Sequence, residues 1–234
     1  MRRIVIIHAN KTVRAACIAA ELVLVLSAEG RAQGMKIDFE DSTPGSPPTG
    51  FSTAVTHGGE PGRFVVEEDE GNRVVVQRST DRTNGRFPLC VFDGFSASDV
   101  AVSVRIKPIL GEVDRAGGLV FRYRDQDNYY LVRANALEGN VVPYKVERGK
   151  RSDLKPSGSG LFTYGKKTDV PSGQWSVLRV EARGNRFSVS FAGKALFEVE
   201  DDTFAGAGKV GLWTKADSVT AFDDLAIESL DGKH

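Results

Sequence analysis

The sequence predicts an all-β protein, a two-sheet antiparallel sandwich, and three observations carry that prediction. After residue 63 almost every segment alternates apolar and polar residues with period two. Gly, Asn or Asp stands between the segments, where turns need them. No amphipathic pattern long enough for a helix of ten residues follows the amino-terminal segment.

Taken in order, the chain begins with a segment that does not belong to the sandwich. Arg2, Arg3, Lys11 and Arg14 precede an apolar run from Ala15 to Ala28, and Gly30-Arg31-Ala32 offers a small-residue cleavage site. That order predicts a secretory signal peptide over residues 1–32, leaving 33–234 as one sandwich domain in the periplasm or outside the cell. The apolar run is shorter than the roughly 20 residues of a membrane span. Glu21 also interrupts it, so no membrane insertion is expected after cleavage.

Residues 1–32 hold five of the 31 Lys+Arg and two of the 31 Asp+Glu, so their removal leaves a net charge of −3. A slightly acidic domain has no bulk field for nucleic acid or an anionic membrane, and no nucleic-acid partner is expected. Cys90 is the one cysteine left after cleavage, which excludes an internal disulfide and makes an inert buried thiol the expectation.

Residues 35–40 read as a first strand, followed by the turn-rich stretch Asp41 to Pro48. Strands are then expected over 63–67, 73–77, 100–107, 118–124, 129–135, 141–148, 175–183, 186–192, 194–199, 209–214 and 220–229. Gly184-Asn185 and Ala192-Gly193 are two-residue turns that make 175–199 a three-strand meander.

The central stretch GGLVFRYRDQDNYYLVRAN reads as a hairpin around residues 125–128. Period two then puts Leu119, Phe121 and Tyr123 on a core face with Tyr130, Val132 and Ala134. Arg122, Tyr129 and Arg133 fall together on the opposite face. Asn135 extends that row, and Lys145 joins it if the register of the next strand allows. Guanidinium forks beside tyrosine rings suit sugar hydroxyls, carboxylates or sulfates. Trp213, on the penultimate strand, is either core or a stacking platform in the same cleft. Tyr164 lies in a Gly- and Lys-rich loop over 157–168 that could form the rim of a cleft.

These segments, with GQWSVLRVEARGNRFSVSFAGKALFEVED and GKVGLWTKADSVTAFDDLAI, resemble the concanavalin A-like jelly-roll superfamily. Within it the chain is most similar to laminin G-like and 3-keto-disaccharide hydrolase-like domains of exported bacterial proteins. The resemblance covers about residues 36–230. It implies a jelly-roll β-sandwich whose first and last strands pair, with carbohydrate on the concave face. It further implies that Glu40, Asp41, Asp223 and Asp224 could supply oxygen ligands to a structural calcium.

Catalytic patterns are poor. The Glu-x-Asp-x-x-Glu strand of retaining glycosidases, which sets two carboxylates about 5 Å apart, is absent. Glu67 and Asp69 are followed by Asn72 where the last Glu should stand, and Glu198, Glu200 and Asp202 run into a turn. His57 lies alone in a glycine-rich loop, so no zinc set can be built. The sequence therefore favours a module that binds carbohydrate or polysaccharide. The alternatives are a glycoside hydrolase or lyase drawing on Asp125, Asp127 or Glu138, and a protein-interaction domain of the laminin G type.

Overall fold

The computed structural model describes residues 34–157 and 164–232; the expected signal peptide lies outside these residues. Sixteen strands run in chain order. The first eight are β1 (Gly34–Ile37), β2 (Phe51–Thr56), β3 (Phe64–Asp69), β4 (Asn72–Gln77), β5 (Phe87–Ala97), β6 (Val100–Leu110), β7 (Ala116–Asp125) and β8 (Asn128–Asn135). The rest are β9 (Asn140–Glu147), β10 (Lys150–Asp153), β11 (Lys166–Lys167), β12 (Ser176–Arg183), β13 (Arg186–Phe191), β14 (Lys194–Glu200), β15 (Gly208–Thr214) and β16 (Val219–Ser229). No helix among the described residues is long and apolar enough to cross a membrane.

The strands form two antiparallel sheets. One has the order β14-β13-β12-β6-β16-β4-β3, with β1 also paired to β16. The other has the order β10-β9-β8-β7-β15-β5-β2, with β11 also paired to β9. The first and last strands pair, Ile37 against Leu225, as the resemblance implied. The expected meander is present as β12-β13-β14.

Alternation builds the core between the sheets. Val100, Val102, Val104 and Ile106 of β6 point inward beside Leu178, Val180 and Ala182 of β12 and Phe187, Val189 and Phe191 of β13. They meet Leu119 and Phe121 of β7, Tyr130, Val132 and Ala134 of β8, and Val210 and Leu212 of β15. Each large apolar side chain buried this way contributes about 1.5–3 kcal/mol. Cys90 joins the layer, and burial pushes its thiol well above the ordinary range, so it is unreactive at neutral pH.

Bulges interrupt the alternation in both sheets, and the ones in β16 and β7 redirect side chains. In β16, Phe222 and Leu225 both face the core because a bulge intervenes, with Asp224 at φ 51°. In β7, Phe121 pairs with Tyr130 and Asp125 with Asn128, so three residues on β7 oppose Tyr129 alone. Arg122 takes the left-handed conformation there, at φ 48°. The bulge needs room on its other side: a Cβ on Gly208 of β15 would lie 2.7 Å from the Arg122 Cα.

The bulge corrects two expectations. Tyr123 leaves the core face and packs against Tyr129 on the opposite one, ring centroids 6.0 Å apart. Arg122 goes the other way, into the end of the sandwich. Its Nε donates to Ser98 O at 2.7 Å, its Nη1 to Phe204 O at 3.1 Å and its Nη2 to Gly184 O at 2.6 Å. Asp99 pairs with it at 3.3 Å and Phe187 lies under the guanidinium. One side chain from one sheet thus fastens the β5–β6, β12–β13 and β14–β15 connections.

Arg122→Ala should therefore lower stability by roughly 3 kcal/mol or more, since buried carbonyls would lose their donor. Urea unfolding beside Lys194→Ala, on an exposed strand end, checks this. A loss no larger than the control's would show that Arg122 does not close the sandwich.

Candidate site on the concave sheet

The outward-facing side of the sheet that carries β8 is apolar and aromatic at its centre. Register aligns Val142, Arg133, Gly118, Trp213 and Leu89 in one row across β9, β8, β7, β15 and β5. The next row runs Tyr144, Leu131, Val120, Gly211 and Val91. Phe87, Tyr129 and Val146 complete a second buried cluster. Gly118 is required in this row because a Cβ there would lie 2.7 Å from Val132 O.

This sheet is strongly curled. Arg151 stands on edge strand β10, with five inter-strand steps between it and Phe87 on β5, which is roughly 24 Å in a flat sheet. Yet the Arg151 guanidinium lies 4.7 Å from the Phe87 ring centroid, 4.5 Å from Tyr144 and 5.9 Å from Trp213. His57, at the end of β2, packs edge-on against Phe87 at 5.7 Å, opposite the β9–β10 turn.

The sequence-derived residues divide. Arg133, Tyr129, Asn135 and Trp213 share this concave face. Arg122 does not, for the reason given above. Lys145 does not either: it pairs with Tyr130, and its ammonium reaches Asp201 at 2.9 Å and Thr203 at 2.6 Å on the other side of the sheet. Asn135 is a support. It donates to Asp114 at 2.8 Å and accepts from the amides of Leu137 and Glu138, which shapes the β8–β9 turn. The Tyr129 hydroxyl is taken by Thr56 at 2.8 Å.

Arg133 is fully buried and meets side chains, whereas Arg122 meets mainly carbonyls. Glu138 grips it through both oxygens, at 3.1 and 2.6 Å, and Asn140 accepts at 2.9 Å. Its guanidinium also lies over Tyr144 and Tyr164, whose hydroxyls bond each other. Burial works to raise the Glu138 pKa, but the Arg133 fork overcomes it and holds the carboxyl below its ordinary value.

Four buried polar atoms on this face have no hydrogen-bond partner: Arg133 Nε, Arg151 Nη1, Asp153 Oδ2 and Trp213 Nε1. Buried polar groups are nearly always satisfied by protein, ordered water or a ligand, so these four leave partners to be supplied by solvent or by a bound molecule. A cleft lined by Leu137, Glu138, Asn140, Tyr164 and Lys167 opens at the Arg133 end.

Sequence reading missed Arg151, Asp153, Tyr144 and Phe87. The signal for β10 was present as Arg148-Gly149, a turn with φ 50° and 78° that pairs Lys150 with Glu147. That turn puts Arg151 opposite Val146 and Asp153 opposite Tyr144, facing the cleft.

The calcium expectation finds no fit. Asp223 is buried against Arg105 at 3.1 Å and Asn72 at 3.0 Å, Asp224 pairs with Lys36 at 2.9 Å, and Glu40 accepts the Arg73 amide at 2.8 Å. Asp41 is exposed, and no group of three or more His, Cys, Asp or Glu among the described residues could hold a metal. The acidic stretch at 67–69 is likewise neutralised, Glu67 by Arg78 and Asp69 by Lys107.

Because its folded-state pKa is depressed, Glu138 stabilises the fold fully above its ordinary value of 4.5. That contribution disappears as pH falls through the lower folded value. The Tm gap between the native chain and Glu138→Gln should be constant near neutrality and close as pH falls below 4.5 through the lower folded value. Thermal scans across pH check this; a gap independent of pH would contradict the ion pair.

No family model and no curated protein matches the chain. Solved structures do. A carbohydrate-binding module CBM66 from Bacillus subtilis aligns with TM-score 0.58 and 24% identity, covering 77% of this chain and 96% of that one. Domain 4 of AbnA, a GH43 extracellular arabinanase from Geobacillus stearothermophilus solved with arabinotriose, aligns with TM-score 0.53 and 16% identity, covering 83% and 90%. The cellulose-induced protein Cip1 gives 0.57 and 12%, covering 82% and 96%. At such identities the likeness concerns the fold alone, a two-sheet antiparallel jelly-roll β-sandwich.

Proposed function

We propose that this protein is an exported, lectin-like module that binds carbohydrate on the concave sheet. One observation carries the reading: four unpartnered buried polar atoms, three donors and an acceptor, are set among Tyr144, Trp213 and Phe87. Sugars offer hydroxyls to pair with the stranded N–H and carboxylate groups, and the exposed Tyr164 ring at the rim offers a face for a sugar's C–H groups. The site comprises Arg133, Arg151, Asp153, Tyr144 and Trp213, with Tyr164 at its rim. Tyr129 and Asn135 support it from beneath and from the β8–β9 turn. Two of the similar structures are described as a carbohydrate-binding module and as a domain in complex with arabinotriose, which agrees with this reading. The second is part of an extracellular enzyme, in keeping with the expected signal peptide.

Binding without cleavage follows from the carboxylates. Two-carboxylate glycoside hydrolysis needs a pair free to act. Glu138 is committed to Arg133, which leaves Asp153 as the unpaired carboxylate of the concave cluster.

A glycan array read for binding and, by mass spectrometry, for cleavage tests this. The native chain should bind at least one oligosaccharide uncut. Arg151→Ala and Asp153→Ala should each weaken it about tenfold or more, the loss of one well-placed polar contact, while Lys194→Ala leaves it unchanged. Binding that survives both site variants would place the ligand elsewhere, and cleavage would make the protein an enzyme.

A further inference from the structure

The unpartnered groups differ in charge, and the difference bears on which saccharide the site takes; the inference rests on the carbohydrate reading above. Arg133 is neutralised by Glu138 through a two-point contact. Arg151 is not neutralised. Among the described residues no carboxylate lies within ion-pair distance of it, and its guanidinium is held by the rings of Phe87, Tyr144 and Trp213 alone. Its Nη1 is buried and makes no hydrogen bond. The residue is half-buried, and the part of its charge withdrawn from water has no counter-charge, which is costly to a fold. The rings offset part of that cost through their negative faces.

Further cations stand along the same edge of β9, toward its Asn140 end. Lys167 reaches the Glu138 carbonyl at 2.9 Å, and Lys166 and Lys167 both line the cleft beside Tyr164. The spare groups themselves are unequal: three N–H donors against the single acceptor Asp153 Oδ2. Asp153 lies two residues from Arg151 on the same strand face yet makes no ion pair with it. Both therefore remain available to different parts of one ligand.

We infer that the ligand is an acidic polysaccharide built of uronic acid units, with a sugar carboxylate received by Arg151 and a neighbouring hydroxyl donated to Asp153. A uronate carries both groups on one ring. Its carboxylate supplies the lone pairs that three stranded donors require, and a guanidinium meets it with planar, two-point geometry. The lysines along the cleft then face the carboxylates of adjoining units.

The test is isothermal titration of the full chain with oligomers of galacturonate, glucuronate and mannuronate. Each is run beside its own methyl ester, which keeps the ring and removes the charge. At least one acid should bind tenfold or more tightly than its ester, and added salt should shrink that ratio. Arg151→Gln should bring the ratio close to one, while Arg151→Lys, which keeps the charge, retains a preference for the acid. Equal binding of acid and ester, or binding confined to neutral sugars, would overturn the uronate assignment and leave the carbohydrate reading in place. Failure to bind any saccharide would overturn both.

Discussion

A single left-handed residue in β7 governs how the two sheets are joined. Arg122 sits in the bulge opposite Tyr129, and the extra length there reverses which way β7's side chains point. One consequence is the buried guanidinium, whose donors end on the carbonyls of three connections drawn from both sheets. The other is Tyr123, delivered to the concave face beside Tyr129. Closure of the sandwich end and completion of the aromatic face are thus the same structural event. Such a residue persists only where its surroundings over-determine it. Gly208, with no side chain to collide with the bulge, is part of that determination.

Among the described residues three arginines are fully buried, and their partners separate their roles. Arg122 spends its donors mainly on the backbone. Arg86 does so too, reaching the carbonyls of Glu60, Pro61 and Ala216, with Ser79 and Asp81 beside it. Both hold loops. Arg133 is instead gripped by Glu138 and Asn140 and keeps Nε unused, on the face where Arg151, Asp153 and Trp213 also have unused atoms. A guanidinium satisfied by carbonyls has nothing left for a ligand. One positioned by a carboxylate, with a donor to spare, is ready for one.

Much of the fold was legible because period two is a strong signal wherever one strand face is buried. β6 and the β12–β14 meander carry it, while the pairing of first and last strands came from the family resemblance. β2 and β5 did not: Pro88 and Gly94 interrupt β5, and its apolar run Leu89-Cys90-Val91 does not alternate. β10 was missed because four residues are too few to show a period. Tyr129, Arg133 and Asn135 share one face as period two predicts, whereas the face of Trp213 was open from sequence. Arg122 was misplaced, since counting assumes an unbroken strand and a bulge leaves no mark in composition. Lys145 failed for a different reason, because its face depended on a register between strands that sequence does not fix. Arg151 was beyond reach from sequence, as only the curl of the sheet carries an edge strand over to Phe87.

The measurement that bears most directly on the concave site is a crystal structure of the protein with a bound oligosaccharide. The ligand is expected against Tyr144 and Tyr164, with hydrogen bonds from Arg151 Nη1 and to Asp153 Oδ2. A sugar seated instead on the outer face of the opposite sheet, around Trp175 or the β12–β14 meander, would contradict the assignment and leave the four unpartnered atoms without a purpose.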